Sequence, residues 1–396
     1  MRFIKACFLM VTLSLGATTV LAEWVDPLQA PAQASVKAHT ALLLDITHAG
    51  DRLVAVGAFG HILYSDDNGQ FWQQAQVPVR VTLTAVTFID DRTGWAVGHD
   101  GVVLATADGG MSWHKQLDGF AANDAMVVAS ERLFAKAEAA VSMASDVGDE
   151  ELEDAEAALE AATFAVEDAE YDVSVGSTKP LLDVLFLDAQ HGFAIGAYGM
   201  AFETSNGGKS WTEFTSRLPL PERSHLNSLV QAAYGQLYIV GELGLILTST
   251  DQGHSWQALE SPYDGSLFGM ISSGNTLTLM GLRGHLFQST DAGNRWTELA
   301  LNNEQTLFQG LAMADGTRVL VGNSGTLIRL EHQNIQVINL TGRKGIAGLA
   351  VTEEGFVLVG EAGVQRINHR GKLISAARMT TADGVSSGGQ LAAEAQ

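Results

Sequence analysis

The chain has 396 residues, of which 46% are hydrophobic, and its 42 glycines and seven prolines fit a folded protein with many turns and argue against disorder. Its formal net charge of −22 argues against nucleic acid and anionic lipid surfaces as partners, because both attract clusters of lysine and arginine. The single cysteine, Cys7, lies near the start, so the rest of the chain is predicted to hold no disulfide and no cysteine metal ligand.

Residues 1–22 are predicted to form a secretory signal peptide. Arg2 and Lys5 precede an apolar stretch, and small residues up to Ala22 supply a plausible cleavage point before Glu23. No other stretch approaches the roughly 20 apolar residues that a membrane helix requires. We therefore expect an exported protein, periplasmic or lumenal, that is soluble and peripheral to the membrane.

A glycine turn of the form Val-Gly-x-x-Gly recurs along residues 40–378. Its first glycines are separated by 41, 98, 45, 40, 41 and 38 residues, and they are Gly57, Gly98, Gly196, Gly241, Gly281, Gly322 and Gly360. A period near 40 residues indicates a repeated supersecondary unit, and each unit reads as four short strands joined by tight turns. The sequence predicts an all-β fold, a seven-bladed β-propeller. Residues 23–39 are predicted either to pack on the ring or to add a strand.

A second motif, Ser/Thr-x-Asp-x-Gly-x-x-Trp, follows five of the glycine turns. We expect its carboxylate to accept backbone N–H groups, its glycine to take a positive φ, and its tryptophan to pack between neighbouring blades. In the third copy an asparagine replaces the aspartate, which keeps an acceptor without the charge. The motif residues are Ser65, Asp67, Gly69, Trp72, Thr106, Asp108, Gly110, Trp113, Thr204, Asn206, Gly208, Trp211, Ser249, Asp251, Gly253, Trp256, Ser289, Asp291, Gly293 and Trp296.

This motif is similar to the Asp-box, or BNR repeat, of sialidases and other secreted propellers. The longer segments 94–113 and 192–211 resemble more closely the photosystem II assembly-factor propellers. The resemblance implies a non-enzymatic, exported scaffold that needs no cofactor. Its partners would be protein subunits of a membrane complex, either photosystem II-like or an envelope transporter.

The one long interval predicts an antiparallel helical hairpin at residues 120–176, inserted between blades 2 and 3. This segment is rich in alanine and glutamate, and residues 118–172 hold 16 acidic residues against Arg132 and Lys136, a net charge of −14. The hairpin is interpreted either as a solvated acidic surface or as an arm that engages a basic partner. The expected seam between the helices is Leu133, Ala137, Ala140 and Ala144 against Leu152, Ala155, Leu159, Ala162, Val166 and Ala169.

Strand alternation places the glycine turns and the connections between blades at one end of the ring, opposite the Asp-boxes. Loops of this kind usually carry binding functions. The candidate protein-binding residues on this face are Arg80, Arg217, Arg223, Arg283 and Arg343. The alternative is an ordinary solvated surface. Three histidines border the turns but belong to different blades, so no metal site is predicted: His61, His99 and His285.

Two other functions stay open at this point. A sialidase-like glycoside hydrolase would need an arginine cluster and a tyrosine nucleophile, but the Arg-Ile-Pro motif is absent, and repeat packing is expected to explain Tyr64 and Tyr198. A carbohydrate- or ligand-binding propeller would need aromatic platforms on the loop side, where Tyr263 is nearly alone. Residues 379–396 are expected to form a flexible tail.

Overall fold

The computed structural model describes residues 25–144, 148–220, 223–331 and 334–380. The signal peptide expected at residues 1–22 lies outside these ranges. Within them the chain forms seven sheets, each built from four consecutive antiparallel strands, and one of them gains a fifth strand; two long helices complete the structure. The predicted seven-bladed propeller with an inserted helical hairpin is confirmed.

Blades 1 to 4 and the helices between blades 2 and 3 follow one another along the first two thirds of the chain. Their elements are β1 (Leu43–Ala49), β2 (Arg52–Gly57), β3 (Ile62–Ser65), β4 (Phe71–Gln74), β5 (Leu83–Phe88), β6 (Gly94–Gly98), β7 (Val103–Thr106), β8 (His114–Leu117), α1 (Gly119–Ala144), α2 (Asp149–Val175), β9 (Leu181–Phe186), β10 (Gly192–Gly196), β11 (Ala201–Thr204), β12 (Thr212–Glu213), β13 (Leu226–Gln231), β14 (Leu237–Gly241), β15 (Ile246–Ser249) and β16 (Gln257–Ala258).

Blades 5 to 7 complete the ring, and one short strand follows them. These elements are β17 (Leu267–Ser273), β18 (Thr276–Gly281), β19 (Leu286–Ser289), β20 (Thr297–Glu298), β21 (Leu307–Ala312), β22 (Arg318–Gly322), β23 (Thr326–Glu331), β24 (Asn334–Asn339), β25 (Ile346–Thr352), β26 (Gly355–Gly360), β27 (Gln365–Asn368), β28 (Leu373–Ala376) and β29 (Arg378–Met379).

The ring is closed around its inner strands. The first strand of each blade contacts the first strands of both neighbours, and β25 of blade 7 contacts β1 of blade 1. Each of the seven apolar core clusters draws its residues from two adjacent blades. The core is therefore a circle of interfaces between blades, and burial of these interfaces is what stabilises the ring.

The first glycine of the repeated turn is required by close backbone approach. A Cβ on Gly57 would lie 2.3 Å from the carbonyl oxygen of Leu42, and the equivalent glycines of five other blades face the same kind of contact at 2.1 to 2.3 Å. The next amide, that of Ala58, donates to this carbonyl at 2.9 Å. The glycine thus lets the end of the second strand bond to the start of the inner strand.

The Asp-boxes form the turns between the third and fourth strands of five blades. The Asp108 carboxylate accepts the N–H groups of Met111 and Ser112, both at 3.0 Å, and Asn206 accepts the equivalent Ser210 N–H at 3.0 Å. Hydrogen bonds from Ser255 lower the pKa of Asp251 to about 2. The five box glycines have φ values between 79° and 88°.

The box tryptophans pack towards the preceding blade, but only some of their indole N–H groups donate a hydrogen bond. Trp72 is fully buried against blade 7, and its Nε1 donates to the carbonyl of Gly69 at 2.9 Å. Trp113 and Trp256 donate in the same way. The Nε1 atoms of Trp211 and Trp296 are buried without a partner among the described residues.

Helices α1 and α2 pack against each other as an antiparallel pair, which we call the arm. Ala122 of α1 packs into the core between blades 2 and 3, and the other buried side chains recur every seven residues: Asn123, Ser130, Ala137 and Ala144 on α1 and Ala155, Ala162 and Ala169 on α2. The expectation that Leu133 belongs to this seam is wrong. Its side chain is 37% exposed and faces blade 3, while alanine, serine and asparagine occupy the buried seven-residue stripe between the helices.

The first described residues pack on the ring without forming a strand. Leu28 is buried in the core between blades 1 and 2, and the Ala32 N–H donates to the Val77 carbonyl at 3.0 Å. The added strand comes instead from the other end of the described chain. There β29 pairs in parallel with β4, and the Thr380 N–H donates to the Trp72 carbonyl at 2.9 Å.

The expectation of a flexible tail from residue 379 is therefore wrong for its first two residues, while residues 381–396 lie outside the described ranges. Met379 is 4% exposed and packs in the cluster between blades 7 and 1. No helix among the described residues combines the length and hydropathy needed to cross a bilayer.

Candidate functional site

One end of the ring carries the irregular loops, and we call it the loop face. It consists of the connections between blades, including the arm, and of the glycine turns Ala58–Gly60, His99–Gly101, Ala197–Gly199, Glu242–Gly244, Leu282–Gly284, Asn323–Gly325 and 361–363. The opposite end carries the Asp-boxes and the turns between the first and second strands. This division follows from the up-and-down order of strands in every blade.

Six glycine turns place a residue other than glycine in left-handed backbone conformation at their tip. These residues, with φ between 52° and 61°, are Phe59, Asp100, Tyr198, Leu243, Arg283 and Ser324. Each is followed by a glycine that also has a positive φ. A tight two-residue hairpin turn requires two consecutive positive φ values. Asparagine or glycine adopts the first of these conformations with less backbone strain than other residues.

The tips with apolar side chains point these side chains into solvent. Phe59 is 63% exposed, Leu243 is 67% exposed, and Tyr198 is 47% exposed. Tyr198, expected from the repeat to be a packing residue, lies instead at the surface, where it contacts Lys179 and His225. A left-handed conformation costs roughly 1–2 kcal/mol for a residue with a Cβ. Strain combined with exposure of this kind is characteristic of a contact surface.

Two of the five predicted binding arginines are already paired. Arg223 binds two carboxylates of α2, with both nitrogen-to-oxygen distances at 2.8 Å, to Asp168 and to Asp172. Arg217 pairs with Glu203 and lies over the Phe214 ring at 5.1 Å. Arg223 therefore holds the arm on blade 3, and Arg217 stabilises the connection that follows blade 3.

The remaining three arginines lie on other connections and turns of the loop face. Arg283 and Arg343 are exposed, have φ values of 56° and 50°, and form no ion pair with any described residue. Arg80 is half-buried beside the first described residues, and its backbone N–H donates to the Pro27 carbonyl at 2.8 Å. The structure thus spreads the predicted arginines around the face and does not gather them into one cluster.

The root of the arm is fixed by hydrogen bonds and charge. Asn123 of α1 donates from Nδ2 to the carbonyls of Asp172 and Gly176 at 3.0 and 3.1 Å, which caps the end of α2. Lys179 pairs with Asp172, and burial lowers the pKa of Lys179 although this ion pair opposes the effect. The arm therefore leaves the loop face in a defined direction.

No metal-binding geometry is found in the described part of the chain. No group of three or more histidine, cysteine or acidic side chains lies close enough to hold a metal ion there. His61 is buried, and burial lowers its pKa. What the loop face offers chemically is a set of exposed apolar and basic turn residues beside an acidic arm.

The left-handed tips are the feature that sequence reasoning missed. The signal was present, because a residue directly before the second glycine of each repeat occupies the first position of such a turn. What was not visible is that these side chains stay exposed.

Comparison with known proteins gives one family. The family model described as photosynthesis system II assembly factor YCF48 matches residues 64–130 and 164–327 and leaves out residues 131–163 of the arm. The photosystem II assembly lipoprotein Ycf48 of Synechococcus sp. (strain CC9902) is 39% identical over 79 residues, 20% of this chain and 23% of that protein. The chloroplastic photosystem II stability/assembly factor HCF136 of Oryza sativa subsp. japonica is 32% identical over 84 residues, 20% of each chain. The matched segments thus span less than a quarter of either relative.

Solved structures share the fold over most of the chain. A YCF48 bound to D1 peptide has a TM-score of 0.56 at 16% identity and covers 87% of this chain and 97% of that one. YCF48 from Cyanidioschyzon merolae has a TM-score of 0.56 at 14% identity, with 84% and 96% covered. The WD40 propeller domain of Doa1 also reaches 0.56, at 10% identity, with 85% and 94% covered. At these identities the likeness shows the propeller fold alone.

Proposed function

Because this chain belongs to the photosynthesis system II assembly factor YCF48 family, we propose that it is a non-catalytic assembly factor. Its loop face would bind a protein subunit of a membrane-associated complex. The observation that carries the proposal is the set of strained tips on the loop face, of which Phe59, Tyr198, Leu243 and Arg283 are exposed. A partner contact gives a reason for keeping large side chains where asparagine or glycine would be more stable.

The family favours a photosystem II-like client over an envelope transporter and favours assembly over glycoside hydrolysis. One solved relative is a YCF48 bound to D1 peptide, so a D1 peptide is the first probe to use with this chain. The peptide, labelled with a fluorophore, is titrated with the full chain and followed by fluorescence anisotropy. In parallel, the tagged protein is recovered from membranes solubilised in mild detergent, and the retained subunits are identified by mass spectrometry.

The decisive variants are Phe59→Asn and Leu243→Asn. Asparagine tolerates left-handed backbone, so both proteins should melt at the same temperature as the wild type or higher. Binding should nevertheless weaken about tenfold if the apolar tips make the contact. Tyr234→Asn is the matched control, because Tyr234 also has a positive φ and is 93% exposed but lies on the opposite face.

Unchanged recovery of subunits by the two tip variants, or an equal loss with Tyr234→Asn, would reject the loop face as the binding surface. A fluorogenic sialoside that the protein cleaves would reject the non-catalytic assignment.

We also infer that the protein works outside the cytoplasm, in a periplasm or lumen. The support is the apolar leader at residues 1–22 and relatives described as a lipoprotein and as chloroplastic. Cell fractionation followed by sequencing of the mature amino terminus checks this. An uncleaved cytoplasmic protein would contradict it.

A further inference from the structure

A groove of about 340 Å³ separates the arm from blade 3, and we call it the arm groove. Its arm side is formed by Met126 and Leu133 of α1 and by Phe164 of α2. Its blade side is formed by Leu218 and Leu220, which follow β12. Apolar side chains therefore line both walls.

The groove leaves one large apolar side chain of each arm helix partly exposed. Phe164 is 59% exposed and Leu133 is 37% exposed. A phenylalanine exposed to this extent gains little for folding, and an apolar cleft bordered by charged residues is typical of a docking site.

The charge around the groove is mainly negative, although Arg223 at its edge pairs with Asp168 and Asp172. Helix α2 contains 11 acidic residues and no basic residue, and like charges spaced four apart on a helix, such as Glu156 and Glu160, destabilise it. A bound cationic segment would relieve this repulsion, and the acidic field would speed its approach.

Glu213 brings a carboxylate into the groove itself. One of its oxygens accepts the Ser216 N–H at 3.1 Å, and the side chain forms no ion pair with any described residue. Burial raises the pKa of Glu213. A lysine or arginine of a partner placed beside this carboxylate would lower the pKa again, because it stabilises the charged form.

The groove is preformed. The ion pairs from Arg223 to Asp168 and Asp172, and the Asn123 cap, fix the root of the arm against blade 3. Binding of a partner would therefore lose little conformational entropy at the arm root, which favours binding.

We propose that the arm groove binds a basic amphipathic segment of a protein partner. An apolar side chain of this segment packs between Phe164 and Leu220, and a neighbouring lysine or arginine pairs with Glu213. The inference deepens the proposed function by adding a second contact for the client. The family model omits residues 131–163, which include Leu133, whereas Phe164, Glu213 and Leu220 lie within the matched range.

The probe is a fluorescently labelled amphipathic peptide of leucine and lysine, about four helical turns long, titrated into the full chain. Phe164→Ser and Glu213→Gln should each weaken binding about tenfold, and added salt should weaken it for the wild type. Two matched controls lie away from the groove. Met143→Ser removes a 67% exposed side chain at the far end of α1, and Glu150→Gln removes one acidic charge of α2. Both variants should bind the peptide like the wild type. A leucine–glutamate peptide of equal length should not bind.

Equal affinity of Phe164→Ser and the wild type would overturn the proposal, as would equal losses in the two glutamate variants. A dimer in analytical ultracentrifugation that Phe164→Ser abolishes would overturn it too, because the groove would then hold a second copy. The two hypotheses fail separately. If the wild-type chain does not bind the leucine–lysine peptide but recovers subunits in a way that depends on the loop-face tips, only the groove is rejected. If it binds the peptide but the loop-face variants recover subunits like the wild type, only the loop face is rejected.

Discussion

Asp45 and Asp183 lie on inner strands, and each accepts a backbone N–H of the next blade, while Asp45 also binds a side chain of blade 6. Asp45 accepts the Val86 N–H at 2.9 Å and the Gln309 Nε2 at 2.7 Å, and Asp183 accepts the Leu229 N–H at 2.7 Å. Burial raises the pKa of Asp45 to about 6 and that of Asp183 to about 7. These carboxyls connect adjacent blades, but their charged form is disfavoured in the folded state.

Asp45 should make the ring less stable as the pH rises. Its folded pKa lies above the ordinary value of 3.8, so the folded protein retains a proton that the unfolded chain has released between about pH 4 and 6. Protonated Asp45 therefore adds to the free energy of unfolding below about pH 4. This contribution, on the order of 3 kcal/mol, is lost as the pH rises to about 6. Urea denaturation at a series of pH values measures this.

Asp45→Asn supplies the comparison, because asparagine does not titrate. The difference in unfolding free energy between wild type and variant should fall between pH 4 and 6 and be flat above pH 7. A difference that is independent of pH would show that Asp45 titrates normally.

The arm depends on small residues and on one polar contact at its root. Its buried positions are alanine, serine and asparagine, which let the two helices approach closely. Most of its remaining surface is exposed, and α2 is rich in like charges. Packing alone therefore stabilises this element less than the blades.

Asn123→Ala should loosen the arm without unfolding the ring. The variant loses two hydrogen bonds to carbonyls at the end of α2, which costs about 1–3 kcal/mol because these acceptors are left unpaired. Hydrogen exchange should become faster in α1 and α2 and stay unchanged in the blades. Ser174→Ala, which removes an exposed hydroxyl bonded within α2, should behave like the wild type. If hydrogen exchange in α1 and α2 is equally slow in both variants, helix packing alone keeps the arm ordered and the Asn123 cap is not needed.

The whole ring has one interface that joins distant parts of the chain, between blades 7 and 1. Its core contains Trp72, Val357 and Val359, and β29 crosses from blade 7 to pair with the outer strand of blade 1. Every other interface joins blades that are neighbours in sequence. Closure therefore depends on this pairing and on contacts between the first and last blades.

Met379→Ala should lower the stability of the entire propeller. A buried methionine cut to alanine typically costs about 2–5 kcal/mol, and opening this interface leaves two blades with uncovered edges. A single transition at lower urea concentration is expected. Leu373→Ala removes a side chain that is 49% exposed in β28 and should have little effect. Equal midpoints for the two variants would show that β29 does not contribute to closure.

Much of this molecule was predictable, because its signals are local and repeated. The spacing of glycine turns predicts seven blades, the Asp-boxes predict the outer turns, and a glycine-poor, alanine-rich stretch predicts the arm. Each of these patterns reports on bonds within one blade or one helix pair. The seam residue Leu133 was misassigned because helical spacing alone does not say which of two apolar stripes faces the partner helix and which faces blade 3.

By itself the sequence determined the number of blades, the place of the arm and the resemblance to the assembly-factor family. Only the tertiary structure decided that Arg223 holds the arm, that Phe59 and Leu243 stay exposed, and that β29 closes the ring. The physical reason is distance along the chain. Asp45 and Gln309 form a hydrogen bond across 264 residues, and no local pattern records which distant side chains the closed ring brings together.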